Sequence, residues 1–231
     1  MKKHIDNIFC NKCQNSNQSL IKFCTAEEVH EINATKTCIS YKRGDSLFHE
    51  GALPLGIFCV NAGSVKVVKE ASGGKEQIVR IAQAGDVIGY KSLIMQQRYS
   101  SSAFAMEDSK VCLIPKDEFN KLSSNNHRFY EALMKLLCED IERSQNKMAE
   151  IAYKPVRGRV AEALILLGQM ATPQGVINLT REDLASFVGT VKETVIRVLS
   201  ELKSEQFIEI DKRHIKVLNL SGLERVSNLY D

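Results

Sequence analysis

The hydrophobic rhythm of the chain changes along its length. From Thr37 to about Pro115, short apolar runs alternate with glycine turns. Ile39 to Tyr41 precedes Arg43-Gly44-Asp45, Leu47-Phe48 precedes Glu50-Gly51, and Gly56 to Val60 precedes Asn61-Ala62-Gly63. Val65, Val67 and Val68 lead to Ser72-Gly73-Gly74, Ile78, Val79 and Ile81 lead to Ala84-Gly85-Asp86, and Phe104 and Val111 to Ile114 follow. Evenly spaced strands with glycine-rich turns predict an antiparallel barrel or jelly roll. Ala26 to Ile32 ahead of it, and Asp117 to Leu122 behind it, each predict a short helix.

From about Asn126 the period lengthens. Tyr130, Leu133, Leu137, Ile141, Ser144, Met148 and Ile151 recur at spacings of three and four, the pattern of a long helix with one apolar seam. Such a seam packs on its own barrel or pairs with its copy in a homodimer, and the sustained alternation favours the second. Tyr153-Lys154-Pro155 breaks the helix and marks a boundary. Four segments follow: 1–25, a cysteine-containing N-terminal stretch; 26–125, the β-roll; 126–152, the dimerisation helix; and 153–231, a further domain. The fold class is therefore α+β.

In that last domain, Thr180 to Lys203 holds two helical patterns joined by a tight turn, a helix-turn-helix signal. Thr180 with Asp183 three residues on resembles a capping box. Leu184, Phe187 and Val188 form one apolar face, Gly189 supplies the positive φ of the turn, and Val195, Val198 and Leu199 restore the face. Lys192, Glu193, Thr194, Ile196, Arg197 and Ser200 remain outward. An arginine fork recognises guanine and a carboxylate accepts from the cytosine amino group, so Lys192, Glu193 and Arg197 are candidate base readers. A second reading makes Glu193 and Arg197 an i,i+4 pair on a solvated helix. Phe207 to Ile210 and His214 to Leu218 flank Asp211-Lys212-Arg213, a hairpin with a basic tip that reads as a wing. Lys212 and Arg213 there, with Thr180, Arg181, Thr190, Thr194 and Ser200, are candidate contacts to the DNA backbone.

The 231 residues carry a net charge of only +3 and no apolar stretch of membrane-spanning length, and the N-terminus has no apolar segment after its lysines. A cytoplasmic protein is expected. Between Thr180 and Val217, Lys and Arg match Asp and Glu seven to seven, so a basic face exists only if the acids point elsewhere. Four of the seven cysteines lie in the first 38 residues, and without an export signal they read as free thiols or metal ligands rather than a disulfide framework. Cys10 and Cys13 form a C-x2-C knuckle. A β-roll metalloenzyme would need two histidines and a carboxylate on adjacent strands, and only His49-Glu50 lies in the β region, so no enzyme is expected.

The order β-roll, long helix, winged helix-turn-helix resembles the CRP/FNR family of bacterial transcription regulators over nearly the whole chain. The most specific matches are Leu179 to Ala185, Val188-Gly189, Lys192 to Arg197 and Arg157-Gly158-Arg159-Val160-Ala161. The resemblance implies a cyclic-nucleotide-binding-like jelly roll and a homodimer on a near-palindromic operator in double-stranded DNA. It also implies base contacts from Glu193 and Arg197, and contact with RNA polymerase if the protein activates. Ile196 replaces the small or hydroxyl residue usual in the family.

The resemblance places an effector pocket at Gly89, Tyr90, Arg98, Tyr99 and Ser100. The cyclic-AMP branch has a ribose-binding Glu where Tyr90 stands and a phosphate-binding Arg where Tyr99 stands, and both charged contacts are missing here. This argues against cyclic AMP. In the FNR branch, three N-terminal cysteines and a distant one hold an oxygen-sensitive iron-sulfur cluster. The corresponding set here is Cys10, Cys13, Cys24 and Cys112, with Cys24 further along than in the family. A buried cysteine among apolar neighbours, the other reading of Cys112, is a small core residue.

Overall fold

The computed structural model describes residues 5–6, 9–10, 13, 15, 19–71, 73–170 and 176–228. Two compact units emerge, one of residues 1–75 and 79–141, the other of residues 76–78 and 142–231. In chain order the elements are β1 (Ile5–Asp6), a 3₁₀ turn (Leu20–Phe23), α1 (Ala26–Thr35), β2 (Thr37–Tyr41), β3 (Ser46–Phe48), β4 (Gly56–Ala62), β5 (Ser64–Ala71), β6 (Lys75–Gln83), β7 (Val87–Ile88) and α2 (Tyr90–Ile94). Next come β8 (Ser102–Ala105), β9 (Ser109–Pro115), α3 (Lys116–Asn125) and α4 (His127–Tyr153). The C-terminal elements are α5 (Val156–Met170), β10 (Val176–Asn178), α6 (Arg181–Val188), α7 (Lys192–Ser204), β11 (Ile208–Asp211), β12 (His214–Val217) and α8 (Leu220–Asn228).

In the first unit the strands form two antiparallel sheets, ordered β1-β2-β9-β4-β7 and β3-β8-β5-β6. Alternation sends Val60, Val65 and Val111 into one cluster with Phe48, Phe58 and Tyr99. Gly63 permits the sharp β4–β5 turn: its φ is +82°, and a Cβ there would stand 2.3 Å from the Ser109 hydroxyl. A second cluster, with Ile57 and Ile114 from the sheet, packs Ile32 of α1, Phe119 and Leu122 of α3 and Phe129 of α4. α1 starts with a full capping box between Thr25 and Glu28.

The expected seam along α4 is only partly on one face. Tyr130, Ile141, Met148 and Ile151 are exposed, and Ser144 lies among them in sequence, also exposed. Leu133 is not part of that exposed face. It is 1% exposed and packs against Phe129 in the core of its own roll, with Leu137 partly buried beside the same cluster. A 27-residue helix that covers a roll must turn some a/d-type positions inward, so spacing alone misplaces Leu133.

The cysteines also depart from expectation. Cys38 and Cys112 are disulfide-bonded, because β2 and β9 pair antiparallel with these two residues directly opposite, Cα atoms 3.9 Å apart. They lie 74 residues apart in the chain, so neither spacing nor composition reveals the pairing.

The second unit packs α5, α6, α7 and α8 with a small sheet ordered β10-β12-β11. Leu164, Leu184, Val195, Leu199, Ile215 and Leu223 are buried in it. α8 was not anticipated. Asn219 starts it, its Oδ1 accepting from the Gly222 N–H at 2.9 Å. The turn-forming stretch Thr172-Pro173-Gln174-Gly175 lies outside the described residues. Among the described residues no helix is long and apolar enough to cross a membrane.

Candidate nucleic-acid interface

α6 begins at Thr180, whose hydroxyl accepts from the Asp183 N–H at 3.0 Å. The Asp183 carboxylate in turn accepts the Thr180 hydroxyl proton at 2.7 Å. Gly189 ends the helix in the left-handed region at φ 78°, and its N–H returns to the Ala185 carbonyl at 2.9 Å. α7 then buries Val195, Val198, Leu199 and Leu202, leaving Lys192, Glu193, Ile196, Arg197 and Ser200 exposed and Thr194 half-buried. The turn and both apolar faces stand where the sequence places them.

Side-chain pairing on this face differs from expectation. Arg197 pairs with Glu201 at 2.8 Å, one turn on, rather than with Glu193 one turn back. Lys192 pairs with Glu182 across the turn, and the pairing raises its pKa while lowering that of Glu182. Arg157 grips Glu201 at 2.8 Å and Glu205 at 2.6 Å. Three acids of the neutral charge count are thus engaged by cations, Glu201 in the C-terminal half of α7 and Glu205 just past its end among them. The first two turns, where a recognition helix meets bases, keep Lys192, Glu193 and Arg197 outward.

Two arginines near the start of α5 hold the motif. Beside the Arg157 clamp on α7, buried Arg159 donates to the Val188 and Gly189 carbonyls at 2.9 and 3.2 Å. It satisfies the last carbonyls of α6 and faces the helix-dipole end that favours a cation. Sequence reasoning noted Arg157-Gly158-Arg159 only as a resemblance; basic residues at a helix start carry no signal that their partners lie ~30–50 residues on.

The wing is a two-residue hairpin, with Asp211 opposite His214 and Lys212-Arg213 exposed between them. Arg181 is not free at the surface. It donates to the Lys212 carbonyl at 3.1 Å and the Arg213 carbonyl at 3.5 Å, so it positions the wing tip against α6. Thr180 is likewise engaged as a cap, and Thr190 donates its N–H to the Ala185 carbonyl at 3.0 Å.

The residues expected to form an effector pocket are brought together only in part: a Cβ on Gly89 would stand 3.6 Å from a ring carbon of Tyr99. Tyr99 lies 4% exposed inside the roll, stacked on Phe48 at 4.0 Å, its hydroxyl on the Gly56 carbonyl, and burial raises its pKa to about 12. Tyr90 belongs to the other core cluster. Its hydroxyl bonds to buried Asp140 of α4, and Asp140 also meets Arg80 at 3.4 Å and Lys91 at 3.0 Å. Arg98 is exposed and donates to the Gly51 carbonyl at 2.8 Å, Ser100 is exposed, and Gly89 (φ 88°) serves as the left-handed entry to α2.

The iron-sulfur set fares similarly. Cys10, Cys13 and Cys112 line one cavity, but the Cys112 sulfur is bonded to Cys38. Cys24 packs against the core, its pKa pushed up to about 12 by burial and by Glu28. Among the described residues no three His, Cys, Asp or Glu side chains stand where they could hold a metal ion. These four cysteines do not fit an iron-sulfur cluster.

Residues 38–126 match the model of the cyclic nucleotide-binding domain, and residues 158–226 match that of the Crp-like helix-turn-helix domain. The chain is 27% identical to the transcriptional regulatory protein btr of Bordetella pertussis, over 96% of this chain and 94% of that protein. It is 26% identical to the fumarate and nitrate reduction regulatory protein of Yersinia pestis, over 95% of this chain and 90% of that one. The solved structure of FixK2 from Bradyrhizobium japonicum shares the fold with a TM-score of 0.76 at 24% identity, over 83% of this chain and 97% of that one. A β-roll, a long helix and a helix-turn-helix with its turn, caps and wing in place, matched over nearly their full length by such regulators, make this chain a member of the CRP/FNR family of transcription regulators, with a helix-turn-helix DNA-binding domain.

Proposed function

We propose that the protein works as a homodimer in the cytoplasm and binds a near-palindromic operator, each subunit setting α7 into one major-groove half-site. Half-sites then lie ~34 Å apart. The observation that carries this reading is the division of α7 into a buried apolar back and an outward face whose first two turns bear Lys192, Glu193 and Arg197. Lys212 and Arg213 add backbone contacts from the wing, with Thr194 and Ser200 along α7. The exposed Tyr130, Ile141, Met148 and Ile151 support α4 as the dimer seam, since four large apolar side chains on one helix are costly in water. Contact with RNA polymerase follows if the protein activates.

Cyclic AMP is not the effector in this reading. Where the cyclic-AMP branch has its phosphate-binding Arg stands Tyr99, buried and stacked on Phe48, and where it has its ribose-binding Glu stands Tyr90, bonded to Asp140. Gel-shift titrations of Arg197→Ala on operator and random DNA test the base-reading assignment. A loss of ~1–3 kcal/mol per half-site on the operator with little change on random DNA is expected, and equal losses on both would remove Arg197 from base reading.

A further inference from the structure

Three cysteines stand in one row across adjacent strands. Cys38 on β2 lies opposite Cys112 on β9, and Cys112 lies opposite Cys59 on β4. Directly opposite residues share a face, so all three sulfurs lie on the same side of the sheet. That face walls a cavity whose other side carries Cys10 and Cys13. Two donors are aimed at this knuckle: Lys36 Nζ lies 2.8 Å from Cys10 Sγ, and Asn61 Nδ2 lies 3.1 Å from Cys13 Sγ. Asn61 is the extra residue of a bulge in β4, where the register with β9 slips between Val60 and Ala62. The knuckle is further fixed by the Cys10 N–H on Asn33 Oδ1 at 2.9 Å and Asn15 Nδ2 on the Asn61 carbonyl at 2.7 Å.

We infer that Cys10 and Cys13 form a thiol–disulfide relay that connects low-molecular-weight thiols in solution to the buried Cys38–Cys112 disulfide. Half-buried Cys10 and Cys13 meet solvent before Cys38 and Cys112 do, which are 3% and 7% exposed. Thiolate is the attacking species in such exchange, and Lys36 Nζ, 2.8 Å from Cys10 Sγ, holds that sulfur at the cavity wall. Cys10 Sγ attacks Cys112 Sγ, the sulfur of the disulfide that lines the cavity. The Cys10–Cys112 bond forms as the Cys38–Cys112 bond breaks, and Cys38 leaves as a thiolate that takes a proton from water. Cys13 thiolate then attacks Cys10 Sγ, Cys112 leaves as a thiolate, and the oxidation rests on Cys10–Cys13. No electrons enter or leave in these steps. Two glutathione molecules then reduce Cys10–Cys13, yielding oxidised glutathione and two thiols. Cys59, the third of the row, stays a thiol, its pKa pushed up to about 12 by burial.

This inference is independent of the DNA reading and is tested without DNA. The oxidised full-length protein is exposed to glutathione, quenched with N-ethylmaleimide at intervals, and its disulfides mapped by mass spectrometry without reduction. Cys13→Ser, which lacks the resolving thiol, accumulates a Cys10–Cys112 linked peptide. Cys10→Ser slows loss of the Cys38–Cys112 bond by about tenfold or more, Lys36→Gln slows it less while keeping every sulfur, and Cys59→Ser leaves the rate unchanged. Reduction of Cys10→Ser at the parent rate, or a Cys13→Ser protein that never shows the Cys10–Cys112 peptide, overturns the relay. So does iron with a visible chromophore in protein purified without oxygen, because the sulfurs would then serve as ligands.

Discussion

Lys212 occupies a position that glycine would hold at lower cost. It is the first residue of the two-residue wing turn and sits at φ 53°, in the left-handed region. An L-residue there costs ~1–2 kcal/mol, whereas glycine adopts the conformation freely. Lys212→Gly relieves that cost but adds ~0.4–1 kcal/mol of unfolded-chain entropy, so a net gain of roughly 0.5–1 kcal/mol in stability is expected. Binding moves the other way. Each subunit loses one phosphate contact, and at about 0.9 per contact the slope of log K against log salt falls by about 1.8 for the dimer. Lys212→Asn separates the effects, because asparagine tolerates the left-handed region without carrying charge. Urea unfolding and salt-dependent gel shifts read the two quantities. A glycine variant that is less stable would refute the account of the turn, and an unchanged salt slope would refute the wing's contact with DNA.

Gly189→Ala forces a Cβ into the left-handed region at φ 78° and should cost ~1–2 kcal/mol in urea unfolding, since the turn allows no other conformation. Tyr90→Phe removes the hydroxyl bonded to buried Asp140 and should cost ~1.5–3 kcal/mol; a double-mutant cycle with Asp140→Asn should return most of that as coupling. Tyr99 has a pKa raised to about 12 by burial, so the fold favours its neutral form. Its contribution is complete below the unfolded pKa near 10 and is lost as pH rises from about 10 towards 12, and Tyr99→Phe should flatten stability in that window. Calorimetry with cyclic AMP should give no binding heat.

The parts legible in the sequence were those fixed by neighbours a few residues apart. Thr180, Gly189 and the spacing of Leu184, Val188, Val195 and Leu199 define the helix-turn-helix locally, and the Lys212-Arg213 hairpin is equally local. What escaped depended on partners far along the chain. Leu133 repeats the seam's spacing yet is buried in one cluster with Phe129 and Phe119, because one helix serves both a core and an exposed stripe. Arg157 and Arg159 look like surface cations until α6 and α7 bring Glu201, Glu205 and two carbonyls to them. Tyr90 and Tyr99 were assigned to one pocket by resemblance, but burial separates them into two clusters. Register brought the cysteines together. Cys38, Cys59 and Cys112 become neighbours only once β2, β9 and β4 are aligned.

The most direct test of the central claim is selection of duplexes from a random pool by the purified protein, followed by sequencing of the bound DNA. The account predicts a near-palindromic motif with half-sites about 10 base pairs apart, centre to centre, and loss of preference at one defined base pair per half-site in Arg197→Ala. Enrichment of no motif, or of a motif that Arg197→Ala and Glu193→Ala leave unchanged at every position, would contradict it.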